Sequence, residues 1–318
     1  MIVVTGSNGF IGSNLIRNLN SLGISDILAV DNHDNKDLEE NIKNCQIKEY
    51  LGIEEFLKSI KKREIHSSEI KVIFHQGACS DTMEWDAEYL FQNNLLYSKE
   101  LLEFCVEGST PLIYASSASV YGSGNKFKEE LKNESPINLY AYSKYLFDQI
   151  VRKHLASNQS QIVGLRYFNV FGRKQDPKGA YAAVIPKFVI QLMNHEAPVI
   201  NGDGTNSRDF TYIDNVIRMN FLALTTKTES ALNQIYNTAV GDRTTLIQLV
   251  HSLKKYLSKF DPAIANVKEI YGPNRLGDIP HSQASIDKAV KLLNYKPTHD
   301  FESGLKNAVD WYWESFKS

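Results

Sequence analysis

A tyrosine and a lysine four residues apart, Tyr140 and Lys144, could together carry out acid–base chemistry. On a helix this spacing puts both side chains on one face, one turn apart. A tyrosine phenol, with a reference pKa near ~10, is a poor base at neutral pH, but a cation held beside it lowers that pKa. Ser116 and Ser117 follow the apolar run 111–114, a predicted strand, and either could donate a hydrogen bond to the hydroxyl that Tyr140 deprotonates. Such pairs are common on amphipathic helices, so the pair alone does not indicate catalysis.

A glycine-rich turn lies at the start of the chain. Gly6, Gly9 and Gly12 form a G-x-x-G-x-x-G pattern between the apolar run Ile2–Thr5 and a helical pattern that begins at Ile11. Small residues let the backbone approach a pyrophosphate, and the N-terminus of the helix favours its negative charge. The pattern predicts a dinucleotide-binding βαβ unit.

An acidic residue ends the second strand of this unit. Asp31 follows the apolar run Ile27–Val30 and lies 19 positions after Gly12 (31 − 12). At this place a carboxylate can accept hydrogen bonds from an adenosine ribose. A 2′-phosphate would be repelled there, so Asp31 favours NAD over NADP.

The composition is that of an ordinary globular chain. Of the 318 residues 42% are hydrophobic and 23% charged, and the net charge of −2 shows no basic excess that would predict binding to nucleic acid or to an anionic membrane. The three cysteines are widely spaced and predict neither a disulfide framework nor a zinc site. The N-terminus has no signal-peptide pattern and no apolar run reaches the ~18 residues of a membrane span, so we expect a cytoplasmic protein without a membrane partner.

Apolar runs and helical patterns alternate along the chain. This alternation predicts an α/β fold with a Rossmann-type, doubly wound parallel sheet. The predicted strands are 2–5, 27–30, 45–47, 72–75, 112–114, 162–167 and 235–237, and the main predicted helices are 53–60, 92–105, 139–155, 182–193, 245–257 and 304–316. Ligands of such sheets bind beyond the carboxyl ends of the strands, where Gly6, Asp31, Ser117 and Asn169 would meet.

The character of the sequence changes after residue 170, where a charged, turn-rich segment begins. We predict that residues 1–170 form the NAD-binding domain, with later returns near 209–217 and 234–257. Residues 171–318 are predicted to form mostly a smaller, discontinuous α/β lobe that binds the substrate.

The motifs together resemble the extended short-chain dehydrogenase/reductase family, in its nucleotide-sugar branch. The resemblance rests on the glycine pattern, on Ser117, on Tyr140-x-x-x-Lys144 and on Arg166-Tyr167-Phe168-Asn169, and it covers nearly the whole chain. Dehydratases of this family carry an Asp-Glu pair just after the serine or threonine. Here Ala118 and Ser119 stand at those positions, which argues against dehydration. A regulator without catalytic activity is disfavoured because both the tyrosine and the lysine are present.

Two halves of the chain resemble different branches of the family. Residues 75–107 and Lys178 are similar to the ADP-glycero-manno-heptose 6-epimerases, in which the lysine is a second acid/base. The segments 175–186, 201–204, 208–209 and 275–278 are similar to 4-epimerases of UDP-hexoses and UDP-N-acetylhexosamines. Because the second lobe holds the sugar in this family, the resemblance favours a 4-epimerase, with UDP-GlcNAc and UDP-GalNAc as substrates. The heptose 6-epimerase and the UDP-glucose/UDP-galactose 4-epimerase remain alternatives.

The resemblance implies a role for each matching residue. The catalytic residues would be Tyr140, Lys144 and Ser117, although Ser116 is not excluded, and no metal is expected. NAD would be bound by Gly6, Gly9, Phe10, Ile11, Gly12, Asp31, Asn32, Gln76, Ala78, Asn93, Tyr140 and Lys144. The nucleotide sugar would contact Ser117, Asn169, Lys178, Arg208, Arg275, Asp278 and Ser282. Relatives are commonly homodimers and act in polysaccharide biosynthesis, so the same is expected here.

Overall fold

The computed structural model describes residues 1–32, 40–155, 160–176, 183–273 and 279–317. Its strands are β1 Ile2–Thr5, β2 Ile27–Val30, β3 Glu49–Leu51, β4 Val72–His75, β5 Leu112–Ser117, β6 Ile162–Tyr167, β7 Val170–Phe171, β8 Val199–Asn201, β9 Ser207–Arg208, β10 Thr211–Tyr212, β11 Ile235–Thr238, β12 Thr244–Thr245 and β13 Ile270–Gly272. Its α-helices are α1 Phe10–Ser21, α2 Ile53–Lys61, α3 Ala87–Leu90, α4 Tyr97–Glu107, α5 Leu139–Leu155, α6 Val184–Met193, α7 Ile213–Thr225, α8 Leu246–Leu257, α9 Asp287–Leu293 and α10 Phe301–Ser315, and a π-helix spans Phe91–Leu96.

Seven parallel strands form the central sheet in the order β11-β6-β5-β4-β1-β2-β3. The strand order reverses beside β1, which creates the crevice where ligands of doubly wound sheets bind. The predicted Rossmann-type α/β fold is confirmed.

The sheet is buried on both faces because its inner strands carry apolar side chains at successive positions. Val4 of β1 packs in one core with residues of α1 and α7, while its neighbour Val3 packs in a second core with residues of α2, α4 and α5. Successive side chains of a strand point to opposite faces, so a run such as Ile2–Thr5 serves both layers.

Two predicted elements differ from the observed ones. The third strand was expected at 45–47 but spans Glu49–Leu51, because Cys45 closes a turn with Ile42 and pairing with β2 starts only near Lys48. The first part of the helix expected over 92–105 belongs to the π-helical turn Phe91–Leu96, and α4 begins directly after it. Side-chain periodicity does not distinguish a π-turn from an α-helix.

The second half of the chain adds a smaller group of elements beside the carboxyl edge of the sheet. Three short strand pairs, β7 with β10, β8 with β13 and β9 with β12, bring distant segments together. Helices α6, α8 and α10 pack on one another. β11 returns to the central sheet, where it pairs with β6. The predicted division near residue 170 stays a prediction.

Candidate active site

The glycine-rich turn joins β1 to α1 and is shaped by close backbone approaches. Gly6 has φ +64°, and a Cβ there would lie 2.6 Å from the backbone nitrogen of Gly77. A Cβ on Gly12 would lie 2.0 Å from the carbonyl oxygen of Gly6. Gly9 precedes α1, whose first turn holds no acidic residue. The free N–H groups of this helix end can therefore receive an anion.

Two buried oxygens in the turn have no hydrogen-bond partner among the described residues. They are Ser7 Oγ and Asn8 Oδ1, while Asn8 Nδ2 donates to the Tyr50 hydroxyl at 2.7 Å. Buried polar atoms are normally satisfied, so these atoms, with the glycine cradle beside them, fit a ligand that carries phosphates and hydroxyls. The geometry of this turn therefore fits a dinucleotide.

Asp31 lies where the sequence predicted it, directly after β2. Its carboxylate accepts hydrogen bonds from the backbone N–H of Asn8 at 2.8 Å and of Asn32 at 2.9 Å. Burial raises the pKa of Asp31, and these N–H donors partly offset that effect. The carboxylate is held against the glycine turn, next to the ribose position that the sequence predicted.

Of the cofactor residues predicted beyond β4, some line the main cavity and one does not. Gln76 and Ala78 line the main cavity. Asn93 does not line it, and its side-chain amide donates to the carbonyl of Tyr89. The buried neighbour Asn94, which sequence reasoning missed, bonds both to the Cys79 backbone and to Ser143 of α5.

A cavity of about 590 Å³ opens at the carboxyl edge of the sheet. It is lined from the Rossmann side by Gln76, Ser117, Tyr140 and Lys144 and from the other side by Asn169, Arg208 and Ser282. A second cavity of about 540 Å³ shares Asn169 and Arg208 with it and extends toward α6 and β8. The two cavities form one elongated cleft.

Tyr140 and Ser117 both line this cavity. Tyr140 stands in the first turn of α5, which begins after Asn138 because the Asn138 side chain accepts the Ala141 N–H at 2.7 Å. Burial raises the pKa of the Tyr140 phenol, and a hydrogen bond from Ser117 lowers it. Ser117 is therefore close enough to act on the Tyr140 phenol.

The two candidate serines have different partners. Ser117 Oγ accepts hydrogen bonds from the N–H of Ser119 at 3.2 Å and from its hydroxyl at 2.9 Å, which leaves the Ser117 proton for Tyr140. Ser116 Oγ donates to the buried carboxylate of Asp148 at 3.1 Å. Neighbouring side chains of a strand point to opposite sides, so only one of the two can face the phenol. Ser117 is that residue.

Lys144 lies one turn after Tyr140, as the spacing predicted. Its Nζ donates to the carbonyl of Ala115 at 3.1 Å. Burial lowers the pKa of Lys144 to about 8, although the charge of Asp148 raises it. The pKa of Lys144 is thus much closer to neutrality than that of a free lysine.

Two other titratable groups nearby are neutral at pH 7. His75 bonds through its two ring nitrogens to Thr5 and Ser98, and burial together with the charge of Lys144 lowers its pKa to about 3. Burial raises the pKa of the Cys79 thiol. Neither group competes with Tyr140 as a base.

The opposite wall of the cavity is held by one buried carboxylate. Asp209 follows Arg208 and accepts hydrogen bonds from the backbone N–H groups of Val240, Gly241 and Ala284. Burial raises the pKa of Asp209 to about 7, and the three N–H donors lower it in part. Asp209 thereby fixes β9 against the end of β11 and against residues 279–284.

Three predicted substrate residues lie on this wall. The Arg208 guanidinium bonds to the carbonyls of Ser207 and Pro280, and Asn169 Nδ2 donates to the Asp209 carbonyl at 3.4 Å. Ser282 is 6% exposed, and its Oγ has no partner in the described part of the chain. Lys178, Arg275 and Asp278 lie outside the described residues.

A ring of hydrogen bonds behind the cavity was not predicted. The Tyr167 hydroxyl donates to Gln76 Oε1 at 2.9 Å and accepts from Asn220 Nδ2 at 3.0 Å, and Gln76 Nε2 donates to Asn220 Oδ1 at 3.3 Å. Asn220 is 144 residues from Gln76, so no local signal connects them. The ring fixes the Gln76 side chain at the wall of the cavity.

The fold and the Ser–Tyr–Lys cluster beside a dinucleotide cradle define an enzyme of the short-chain dehydrogenase/reductase type. The chain belongs to the NAD dependent epimerase/dehydratase family, whose sequence profile matches residues 2–239. The predicted family resemblance is confirmed, and the cofactor of the family is NAD, as predicted.

Several relatives of this chain are epimerases, which are isomerases. The ADP-L-glycero-D-manno-heptose-6-epimerase of Brachyspira hyodysenteriae is 38% identical over 98% of this chain and 97% of its own length. The UDP-N-acetylglucosamine 4-epimerase of Methanobrevibacter ruminantium, solved with UDP-N-acetylmuramic acid, is 31% identical with a TM-score of 0.86, covering 98% of both chains. The UDP-glucose 4-epimerase of Thermotoga maritima, solved with UDP-glucose, is 28% identical with a TM-score of 0.85, covering 99% of both chains.

The chain is therefore a nucleotide-sugar epimerase by family and by its relatives. Within the described ranges no helix is both long enough and apolar enough to cross a bilayer. The expected homodimer, cytoplasmic location and role in polysaccharide biosynthesis stay predictions.

Proposed function

We propose that this enzyme inverts C4 of a UDP-sugar through a 4-keto intermediate, with UDP-GlcNAc and UDP-GalNAc as the substrate pair. The observation that carries the proposal is the single Ser117–Tyr140–Lys144 cluster, which faces Asn169, Arg208 and the small residue Ser282 across one cavity. The cluster supplies the chemistry and the opposite wall supplies the sugar contacts.

The acid–base steps follow from the geometry of the cluster. NAD would be held by the glycine turn, Asp31 and Lys144, and it would supply the reversible hydride transfer that oxidises the C4 alcohol to a ketone and reduces it again. Tyr140, as phenolate, takes the proton from the C4 hydroxyl, and Ser117 donates a hydrogen bond to the same oxygen. Lys144 favours the phenolate through its charge. After the ketone has presented its other face, Tyr140 returns the proton. Such acid–base assistance contributes ~10²–10⁴-fold.

A single acid/base favours inversion at C4. Among the described residues that line the cavity, Tyr140 with Lys144 is the pair set up for proton transfer, since the Tyr167 hydroxyl is held between Gln76 and Asn220. One base suffices when the ketone turns over in the site. A 6-epimerase of the heptose type would use a second acid/base at Lys178.

The wall opposite the cluster supports a UDP-sugar. Arg208 and Asn169 lie where the two cavities join, so they can hold the diphosphate between the sugar and the base. A planar guanidinium suits phosphate oxygens. Arg275, whose position the structure does not describe, is proposed to bind the diphosphate together with Arg208.

Ser282 supports the choice of a 2-acetamido sugar. In relatives restricted to UDP-glucose and UDP-galactose the matching position resembles a bulky Tyr that crowds C2. Here the side chain is small, lines the cavity and carries an unsatisfied buried oxygen. An acetamido group would fill the space and could bond to that oxygen.

A second candidate is ADP-glycero-manno-heptose 6-epimerisation. It is favoured by the full-length relative with 38% identity. It would give Lys178 a catalytic role.

The test is incubation of the purified enzyme with UDP-GlcNAc, UDP-GalNAc, UDP-glucose and ADP-heptose in separate reactions, with NMR of the sugar products. We expect interconversion of UDP-GlcNAc and UDP-GalNAc without added cofactor if NAD is retained. The Tyr140→Phe variant serves as the inactive control. Efficient epimerisation of ADP-heptose, with no change of either UDP-N-acetylhexosamine, would reverse the two candidates.

We also propose a homodimer formed through α3, the π-helix and α5. Helices α3 and α5 pack side by side, and Tyr89, Phe91 and Tyr142 on these elements expose 47%, 46% and 51% of their surface. Large exposed apolar side chains on adjacent helices are typical of an association surface. Light scattering after size exclusion should give twice the mass of the 36.0 kDa chain, and a single-chain mass would refute the dimer.

A further inference from the structure

Asp148 lies on α5 one turn beyond Lys144 and is completely buried. Its carboxylate accepts hydrogen bonds from the Tyr114 hydroxyl at 2.9 Å and from the Ser116 hydroxyl at 3.1 Å. It also accepts from Nε and Nη2 of Arg166 at 3.0 and 2.7 Å. Because Tyr114 and Ser116 belong to β5, Asp148 ties the helix that carries the acid/base to the strand that carries its donor.

The carboxylate is part of a cluster of four buried or half-buried ionised groups. Arg166 Nη2 also donates to Glu134 Oε1 at 2.7 Å, and Arg152 donates to both oxygens of Glu134. The guanidinium of Arg166 lies 4.9 Å from the centre of the Tyr121 ring. Two positive and two negative charges leave the cluster neutral, and in buried clusters of this kind the loss of one partner strands another charge.

Lys144 faces only a few charged or titratable groups in the described part of the chain. They come from its own helix, from β4 and from the loop after β4: Asp148, His75 and Cys79. His75 and Cys79 are neutral at pH 7, since the pKa of His75 is lowered to about 3 and that of Cys79 is raised. Asp148 is therefore the ionised carboxylate that stabilises the Lys144 ammonium.

We propose that Asp148 is a positioning residue of the epimerase, which serves as the counter-charge of Lys144 and sets the spacing between α5 and β5 that brings Ser117 to Tyr140. The proposal rests on the acid–base role of Tyr140 in the proposed function, but on no particular sugar.

The proposal predicts the direction of a pKa change. The negative charge of Asp148 favours the Lys144 ammonium, so removing that charge makes the proton of Lys144 leave more easily. The pH at which Lys144 loses its charge must therefore move to a lower value. A residue with only a structural role would change the amount of folded enzyme but not this pH.

The test uses Asp148→Asn in the NAD-loaded enzyme. Asparagine keeps the size and an acceptor oxygen but removes the charge. Ionisation of Lys144 is followed by NMR of protein with 13C-labelled lysine over a pH series, and the Lys144 signal is assigned with the Lys144→Met variant. We expect the apparent pKa of Lys144 to fall by about one unit, the order expected for loss of a nearby opposite charge. The alkaline limb of the kcat–pH profile should shift in the same direction, with KM nearly unchanged because Asp148 does not line the cavity.

Glu134→Gln is the matched control. It removes the same kind of charge from the same cluster, but from the far side of Arg166. We expect it to lower the unfolding midpoint of the enzyme about as much as Asp148→Asn does, while the pKa of Lys144 stays unchanged, because Glu134 does not act on Lys144. An equal shift in both variants would overturn the proposal, because the effect would then belong to the cluster as a whole.

A second variant covers the case in which Asp148→Asn does not fold. Asp148→Leu combined with Arg166→Met removes both charges of the pair, a replacement that buried ion pairs often tolerate. Since Asp148 rather than Arg166 acts on Lys144, the same downward shift is expected. An unchanged titration in the variant that folds overturns the proposal. A shifted titration in an enzyme that epimerises none of the tested sugars would support it and refute the proposed function instead.

Discussion

The two walls of the cleft are built in different ways. The Rossmann wall is made of strand ends: the glycine turn follows β1, Asp31 follows β2, and Ser117 is the last residue of β5. The opposite wall is made of two- and three-residue strands that pair across long stretches of chain, such as β9 with β12 and β8 with β13.

The two walls differ in how freely their side chains can be exchanged. On the Rossmann wall Ser117 and Lys144 have defined partners, so chemistry is tied to the fold. On the opposite wall the buried Oγ of Ser282 has no hydrogen-bond partner among the described residues, so an exchange of this side chain breaks no hydrogen bond of the Oγ there. We infer that the first wall determines the reaction and the second determines the sugar.

The largest effect is expected at the first wall. Tyr140→Phe removes the proton-transfer group alone, so kcat should fall at least ~10²-fold while the fold and the retained NAD stay as they are. Turnover and the cofactor content of the purified protein are the two measurements. Tyr142→Phe is the matched control, because Tyr142 lies on the same helix but is half exposed. Near wild-type turnover in Tyr140→Phe would assign the chemistry to another residue.

The same contrast explains what could be predicted from the sequence. The glycine spacing, Asp31 and Tyr140-x-x-x-Lys144 are local patterns, and the structure brings them to one edge as parallel-strand topology requires. The sequence did not decide between Ser116 and Ser117. The folded chain distinguishes them because their hydroxyls have different hydrogen-bond partners.

The unpredicted contacts are long-range. Asn94 lies in a π-helical turn and bonds to Cys79 and Ser143, and Asn220 bonds to Gln76, 144 residues away. Asp209 is one of many acidic residues in the sequence, and only the folded chain shows three backbone N–H groups converging on it. Neither propensity nor periodicity encodes such contacts.

A substitution on the second wall should change specificity rather than chemistry. In Ser282→Tyr the ring would occupy the space proposed for the C2 acetamido group, so turnover of UDP-GlcNAc should fall while UDP-glucose, if it is used at all, is spared. A clash of this size should exceed the ~1–3 kcal/mol that one methylene is worth in a pocket. The measurement is kcat/KM for both sugars.

Ser282→Ala is its control, since alanine keeps the room and removes only the hydroxyl. We expect Ser282→Ala to keep turning over UDP-GlcNAc, with only the modest loss that a missing hydrogen bond to the acetamido group would cause. Equal losses on both sugars in Ser282→Tyr, or no loss on either, would show that residue 282 does not line the C2 pocket.

The buried ammonium of the first wall should reduce the stability of the cofactor-free enzyme. The pKa of Lys144 is lowered to about 8 in the folded protein, against ~10.4 in the unfolded chain. Between these values the unfolded chain holds more protons, so the free energy of unfolding rises with pH. Lys144→Met lacks this dependence and should be more stable than wild type at pH 7, by at most about 3 kcal/mol.

Urea unfolding of both cofactor-free proteins from pH 7 to 10.5 measures this effect. The difference between them should shrink as pH rises above 8. A constant difference would mean that Lys144 has the same pKa in the folded and the unfolded protein. The same variant should lose both activity and NAD affinity, because Lys144 is proposed to hold the nicotinamide ribose.

The smallest effect is expected at Lys178, which separates the two candidate functions. If Tyr140 is the sole acid/base, Lys178→Met should reduce 4-epimerase turnover by less than about tenfold, below the ~10²–10⁴-fold that a general acid or base contributes. Lys174→Met, a change of the same kind four residues earlier, is the matched control. The unmutated enzyme should leave ADP-heptose unchanged. A loss of 10²-fold or more in Lys178→Met alone, together with turnover of ADP-heptose, would place a second acid/base opposite Tyr140 and make the second wall part of the chemistry.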